Sequence, residues 1–165
     1  MKAIQIRTLG AFTSHLLSKE TFDSYYLVEA SITTHSTFLI NGTMHGEYYE
    51  EAPHDSYNFW KVLRPFVYEI MKGKRLPLQF KIILKANPKQ VQDLVHPLSE
   101  NLALPGNPED AIDGLFLNIR YENGVLTLTT GTSMKIFTLD RTIEKAHDAS
   151  VTSLLDSLEI SYELL

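Results

Sequence analysis

An α+β fold is predicted, with two β-α-β-β-β halves over residues 1–49 and 79–139 on mainly antiparallel sheet. Two further helices are predicted near 56–72 and 141–158. Three observations carry this. A tight-turn pair, Asn123-Gly124, separates two alternating apolar runs. Apolar residues recur at helical spacing directly after strand-like segments. The order of strand-like and helix-like segments is the same early and late in the chain, and such internal recurrence governs the whole fold.

The first half opens with Ile4 and Ile6 alternating with polar residues, a strand. Leu9, Phe12 and Leu16 follow at helical spacing. Tyr26, Val28, Ala30 and Ile32 line one face of a second strand, and a turn at His35-Ser36 leads to a third over 38–41. His45 to Tyr49 is expected as the fourth strand. Asp55 or Ser56 can cap a helix running to Lys72, with Gly73 as its C′ residue and Pro65 as a kink. That helix carries two apolar stripes. One is Phe59, Leu63, Phe66 and Ile70; the other is Tyr57, Trp60, Arg64, Tyr68 and Met71.

The second half begins with Phe80, Ile82 and Leu84 alternating with lysines. Asn87-Pro88 supplies an N-cap and a proline at the first helical position, with Val91, Leu94, Val95 and Leu98 following. Pro97 ends or kinks that helix. With Asn123 and Gly124 as a type I′ loop, Tyr121 faces Leu126 and Ile119 faces Leu128 on one apolar face. Gly131 is expected to break the second strand, and Met134 to Leu139 to form a third. The last helix starts near Asp140 and buries Ile143, Ala146, Val151, Leu154, Leu155 and Leu158.

The chain has 165 residues, a formal charge of −5 and no cysteine. That length suits one domain, residues 1–165, with a core large enough to fold without metal or disulfide. Zero cysteine excludes a disulfide scaffold, a zinc ribbon and a thiol nucleophile. No apolar run approaches the ~18 residues of a membrane span, and Met1 to Arg7 alternates polar with apolar, unlike a signal peptide. A cytoplasmic protein with no membrane partner is expected.

The stretch from Leu115 to Phe137 resembles the strand meander of DNA sliding-clamp domains. The resemblance implies a fold of two β-α-β-β-β units. The chain as a whole resembles a bacterial family of uncharacterised proteins of about this length, in Glu20–Ser24, Leu27–Ala30, Gly73–Arg75 and Thr129–Ser133. That family has no assigned activity, so the resemblance implies no catalytic residue.

Three groups of residues are candidates for function. His45, Glu47, His54 and Asp55 are the donor types of a hard or borderline metal site, although a solvated edge has the same composition. Lys72, Lys74 and Arg75 form a basic knot that could meet phosphate or nucleic acid, or simply complement a helix C-terminus. Tyr57, Trp60, Arg64 and Tyr68 are the residue types that anchor interfaces. A helix apolar on two sides is covered on two sides, by its own domain or by another subunit. Thr130-Gly131-Thr132-Ser133 lacks the end of a phosphate loop, no nucleophile elbow is present, and no cofactor is expected. The expectation is a noncatalytic protein-interaction or assembly module, partnered by a second copy or another protein. The alternatives are a clamp-type DNA-binding or replication-associated protein, and a metal-dependent enzyme using His45 and His54.

Overall fold

The computed structural model describes residues 1–165. Its frame is a single antiparallel sheet of seven strands: β1 (Ala3–Ile6), β2 (Tyr26–Thr33), β3 (Thr37–Asn41), β4 (Gln79–Lys85), β5 (Ile112–Glu122), β6 (Val125–Met134) and β7 (Tyr162–Leu164). The strands lie in the order β3-β2-β4-β5-β6-β1-β7. Four helices complete the fold: α1 (Leu9–Leu17), α2 (Trp60–Met71), α3 (Pro88–Val95) and α4 (Thr142–Ser157). No helix is long and apolar enough to cross a membrane.

Alternation along each strand sorts the side chains between the two faces. Ile4, Ile6, Ala30, Ile32, Ile82, Leu84, Leu117, Ile119, Leu126 and Leu128 are buried. They join Phe12 and Leu16 of α1, Trp60 and Val67 of α2, and Val151 and Leu155 of α4 in one core. A smaller core at the end of the sheet joins Val95 of α3 to Ile112, Leu115 and Ile143. The other face of the sheet is open and polar, lined by Glu29, Ser31, Lys81, Asn118, Arg120 and Thr127.

The central hairpin has the expected register, Tyr121 opposite Leu126 and Ile119 opposite Leu128. Asn123 and Gly124 both take positive φ, 53° and 79°, as a type I′ turn requires. The α3 cap is also as expected. The Asn87 side chain accepts from the Gln90 N–H at 2.9 Å, and Gln90 Oε1 accepts from the Asn87 N–H at 2.8 Å.

Four expectations are corrected. Gly131 does not end β6: it pairs with Phe116, and the strand continues to Met134 because β5 begins at Ile112 and offers a longer ladder. Residues 135–139 therefore leave the sheet, with Phe137 and Leu139 exposed. Residues 46–48 form a 3₁₀ turn instead of a strand. The backbone at Thr43 and Met44 is already paired with Tyr57 and Ser56, after which the chain turns away. The same pairing delays α2 to Trp60, since Tyr57 and Phe59 bridge Thr43 and Tyr26 as extended chain. The elements thus run β-α-β-β-α twice, with β7 added, and neither half has a fourth strand.

Candidate interaction surface

The two sides of α2 meet different surroundings. On the side toward α1, Trp60 is fully buried and its indole N–H donates to the Leu16 carbonyl at 2.9 Å. Arg64, one turn on, donates through Nε and Nη2 to both carboxylate oxygens of Asp23, at 2.8 and 2.9 Å. Its Nη1 reaches the Leu17 carbonyl at 3.2 Å. Tyr68 lines a cleft of about 390 Å³ against Leu9, Thr13 and Leu17 of α1. Tyr57 precedes the helix, its ring 6.2 Å from that of Tyr26 and 5.4 Å from the Lys85 ammonium.

Of the four anchor residues expected at an interface, Trp60 and Arg64 are therefore committed inside the molecule, and Tyr57 packs on its own sheet. The expected second stripe is real, but α1 and the Asp23 loop cover most of it. Tyr68 alone keeps substantial exposure, at 42%.

The opposite side of α2 is the uncovered one. Leu63 and Ile70 are half-buried, while Val62 and Phe66 are 54% and 60% exposed. At 100° per residue, Val62, Phe66 and Ile70 form one row along the flank away from Arg64 and Tyr68. Ile70 shares a groove with Phe38 of β3 and with Leu76 and Leu78, both strongly exposed. The helix packs over β2, and next to β2 runs β3, an edge strand of the sheet, with Leu39 66% exposed on the sheet's other face. Periodicity singles out neither Val62 nor Leu39. Val62 falls outside both predicted stripes, and Leu39 sits on the face of β3 away from the core, opposite Ser31.

The basic knot borders the same groove: Lys72, Lys74 and Arg75 line it together with His35. Lys72 pairs with Glu69 at 2.6 Å, which raises its amine above the ordinary lysine value. Lys74 and Arg75 enter no ion pair.

The metal candidates do not converge. No three His, Asp or Glu side chains are placed to hold an ion. His45 and Glu47 approach within 3.6 Å as exposed neighbours, and His54 is exposed. Asp55 instead accepts a hydrogen bond from the Tyr26 hydroxyl. Burial and that carboxylate together push the Tyr26 phenol up to about 12. The physical reason for the scatter is the extended segment 56–59, which anchors Asp55 against Tyr26 while the 3₁₀ turn carries His45 and Glu47 outward.

A family model matches residues 15–163. The chain belongs to DUF5721, a family of unknown function. No curated protein and no solved structure matches it. The DUF5721 match takes in the last turn of α1 and the whole of β3, α2 and the basic knot.

Proposed function

We propose that this DUF5721 chain is a noncatalytic protein-interaction or assembly module, and that its working surface is the outer flank of α2 with the adjoining β3 edge. The observation that carries this reading is the exposure of Val62 and Phe66 on a helix whose other side is already satisfied. Contiguous exposed apolar surface rimmed by polar groups marks a binding face, and here Lys61, Glu69 and Lys72 supply the rim.

Lys61 and Lys72 bracket the patch, so amine-reactive crosslinking in cells reports on it. The expected result is crosslinks from both lysines to one recurring polypeptide, this chain or another, lost in Phe66→Asp. No recurring crosslinked species, or crosslinks indifferent to Phe66→Asp, would overturn the reading.

A second reading is clamp-type nucleic-acid binding. It draws on the doubled β-α-β-β order and on Lys74 and Arg75, which keep their charges unpaired beside Lys72. Phosphate contacts make affinity fall steeply with salt. This reading expects low-salt DNA binding that weakens when Lys72, Lys74 and Arg75 become alanine; no binding at low salt removes it.

A further inference from the structure

The two outer strands of the sheet are protected very differently. β7 has three residues, and its Glu163 is ion-paired to Arg7, so it is short and charged. Those are ordinary ways of blunting a sheet edge. β3 has neither. From Ala30 through Gly46 the chain holds no Asp, Glu, Lys or Arg, although charged residues make up 21% of the whole. Thr37, Phe38 and Ile40 are strand-favouring residues.

The backbone of this edge is available. The N–H of Thr34 donates to Ser36 and that of Gly42 to Val28, each at 2.9 Å. Antiparallel bonding alternates, so Phe38 and Ile40 are the positions bonded to β2. Thr37, Leu39 and Asn41 then aim their N–H and C=O groups outward, where the sheet has no further strand.

We infer that β3 pairs with β3 of a second copy of this chain, antiparallel about a two-fold axis at Leu39, joining two sheets into one. This rests on the assembly reading above and names its partner. Thr37 would oppose Asn41 of the copy, Leu39 would oppose Leu39, and Asn41 would oppose Thr37. Each opposed pair exchanges two N–H···O bonds, and every outward group finds a partner. In a two-fold interface residue i meets j and j meets i, and only the residue on the axis, here Leu39, meets its own kind. Like charges opposed across strands repel, and an edge without charged residues sets no such pair against its copy.

The strand pair alone is too small, since specific interfaces bury about 800 Å² per partner. The flank of α2 supplies the remainder. α2 packs over β2, and β2 lies three strand spacings, roughly 14 Å, from its copy across the joint. A helix with its side chains is about 10–12 Å across, so the two copies of α2 would run antiparallel with a narrow slot between them. Val62 and Phe66 project into that slot from both sides. On the open face Leu39 meets Leu39.

The test is light scattering behind size exclusion at roughly 100 μM, above the micromolar end of the range for such interfaces. Wild type is expected at twice the chain mass. Within the fold, Leu39→Pro removes only an outward N–H and an exposed side chain, and edge strands tolerate proline at such positions; it is expected to give a folded monomer. Hydrogen exchange on wild type guards against misfolding of that variant: the Leu39 and Asn41 amides are expected to be protected at high concentration and to lose protection on 100-fold dilution. A wild-type monomer, or a dimer with Leu39 and Asn41 amides unprotected, overturns the pairing. A dimer broken by Phe66→Asp but not by Leu39→Pro also overturns it while leaving the assembly reading standing. A wild-type monomer whose lysines crosslink to another polypeptide does the same.

Discussion

Arg64 and Asp23 lock α2 to the loop before β2 through two parallel hydrogen bonds, with only 18% and 10% of their side chains exposed. The fork geometry of guanidinium on carboxylate gives direction as well as attraction. By turning this side of α2 inward, the pair also fixes which flank faces outward.

Removing one partner strands the other charge away from water. Arg64→Met is expected to cost about 3–5 kcal/mol, read as a lower urea midpoint. Arg64→Lys should recover only part of this, since an ammonium cannot make the bidentate contact. In the double variant with Asp23→Leu, the loss should be smaller than the sum of the singles.

Trp60 is expected to behave as a core residue and not as an interface anchor. It is fully buried, and its N–H is satisfied by Leu16. Trp60→Ala should cost about 3–5 kcal/mol, while the mass of the molecules that remain folded, measured by light scattering, stays that of wild type. A change in assembly at full folding would contradict the packing described above.

Gly42 holds the inner end of β3 close to β2. A Cβ there would stand 1.7 Å from the Leu27 carbonyl oxygen, a backbone atom that cannot rotate away. Gly42→Ala is expected to cost about 3 kcal/mol or more, at or beyond the upper end of ordinary overpacking. Thermal unfolding followed by circular dichroism tests this. Gly124→Ala meets no atom but must hold a φ of 79°, so its loss should be smaller and confined to the hairpin turn.

Stability should decline in mild acid through His147. Its Nε2 lies 3.0 Å from the Phe116 carbonyl, and burial lowers the imidazole below its ordinary 6.5 despite that bond and the nearby Asp148. The unfolded chain therefore binds a proton first as pH falls, so stability drops below about 6.5 and levels off below the folded-state value. His15 is lowered in the same direction by burial and by Lys19. Urea midpoints at about pH 7.5 and 5.5 should differ less in His147→Gln than in wild type, with His15 retaining part of the slope.

Much of the framework was legible in the residues. Asn123-Gly124 and the alternation around it specify a register because a one-residue slip would turn every apolar side chain to water. Asn87, Pro88 and Gln90 announce the start of α3 because capping is local chemistry. The misreadings have one cause. Whether residues 45–49 and 135–139 become strands depends on a free neighbouring backbone, and the pairing of Thr43 with Tyr57 and the length of β5 are long-range facts. The burial of His147 is long-range in the same sense: a helical histidine is buried only if the helix sets it over a partner such as Phe116.

The sequence alone determined the α+β class, the central hairpin, the α3 cap and the presence of an over-apolar helix between the halves. All are properties of spacing and turn chemistry within a few residues. Tertiary structure decided which flank of α2 stays bare and which strand becomes the open edge. Helical spacing shows that two sides are apolar but cannot rank them; α1 and Asp23 close one side, and strand order leaves β3 without an outer neighbour.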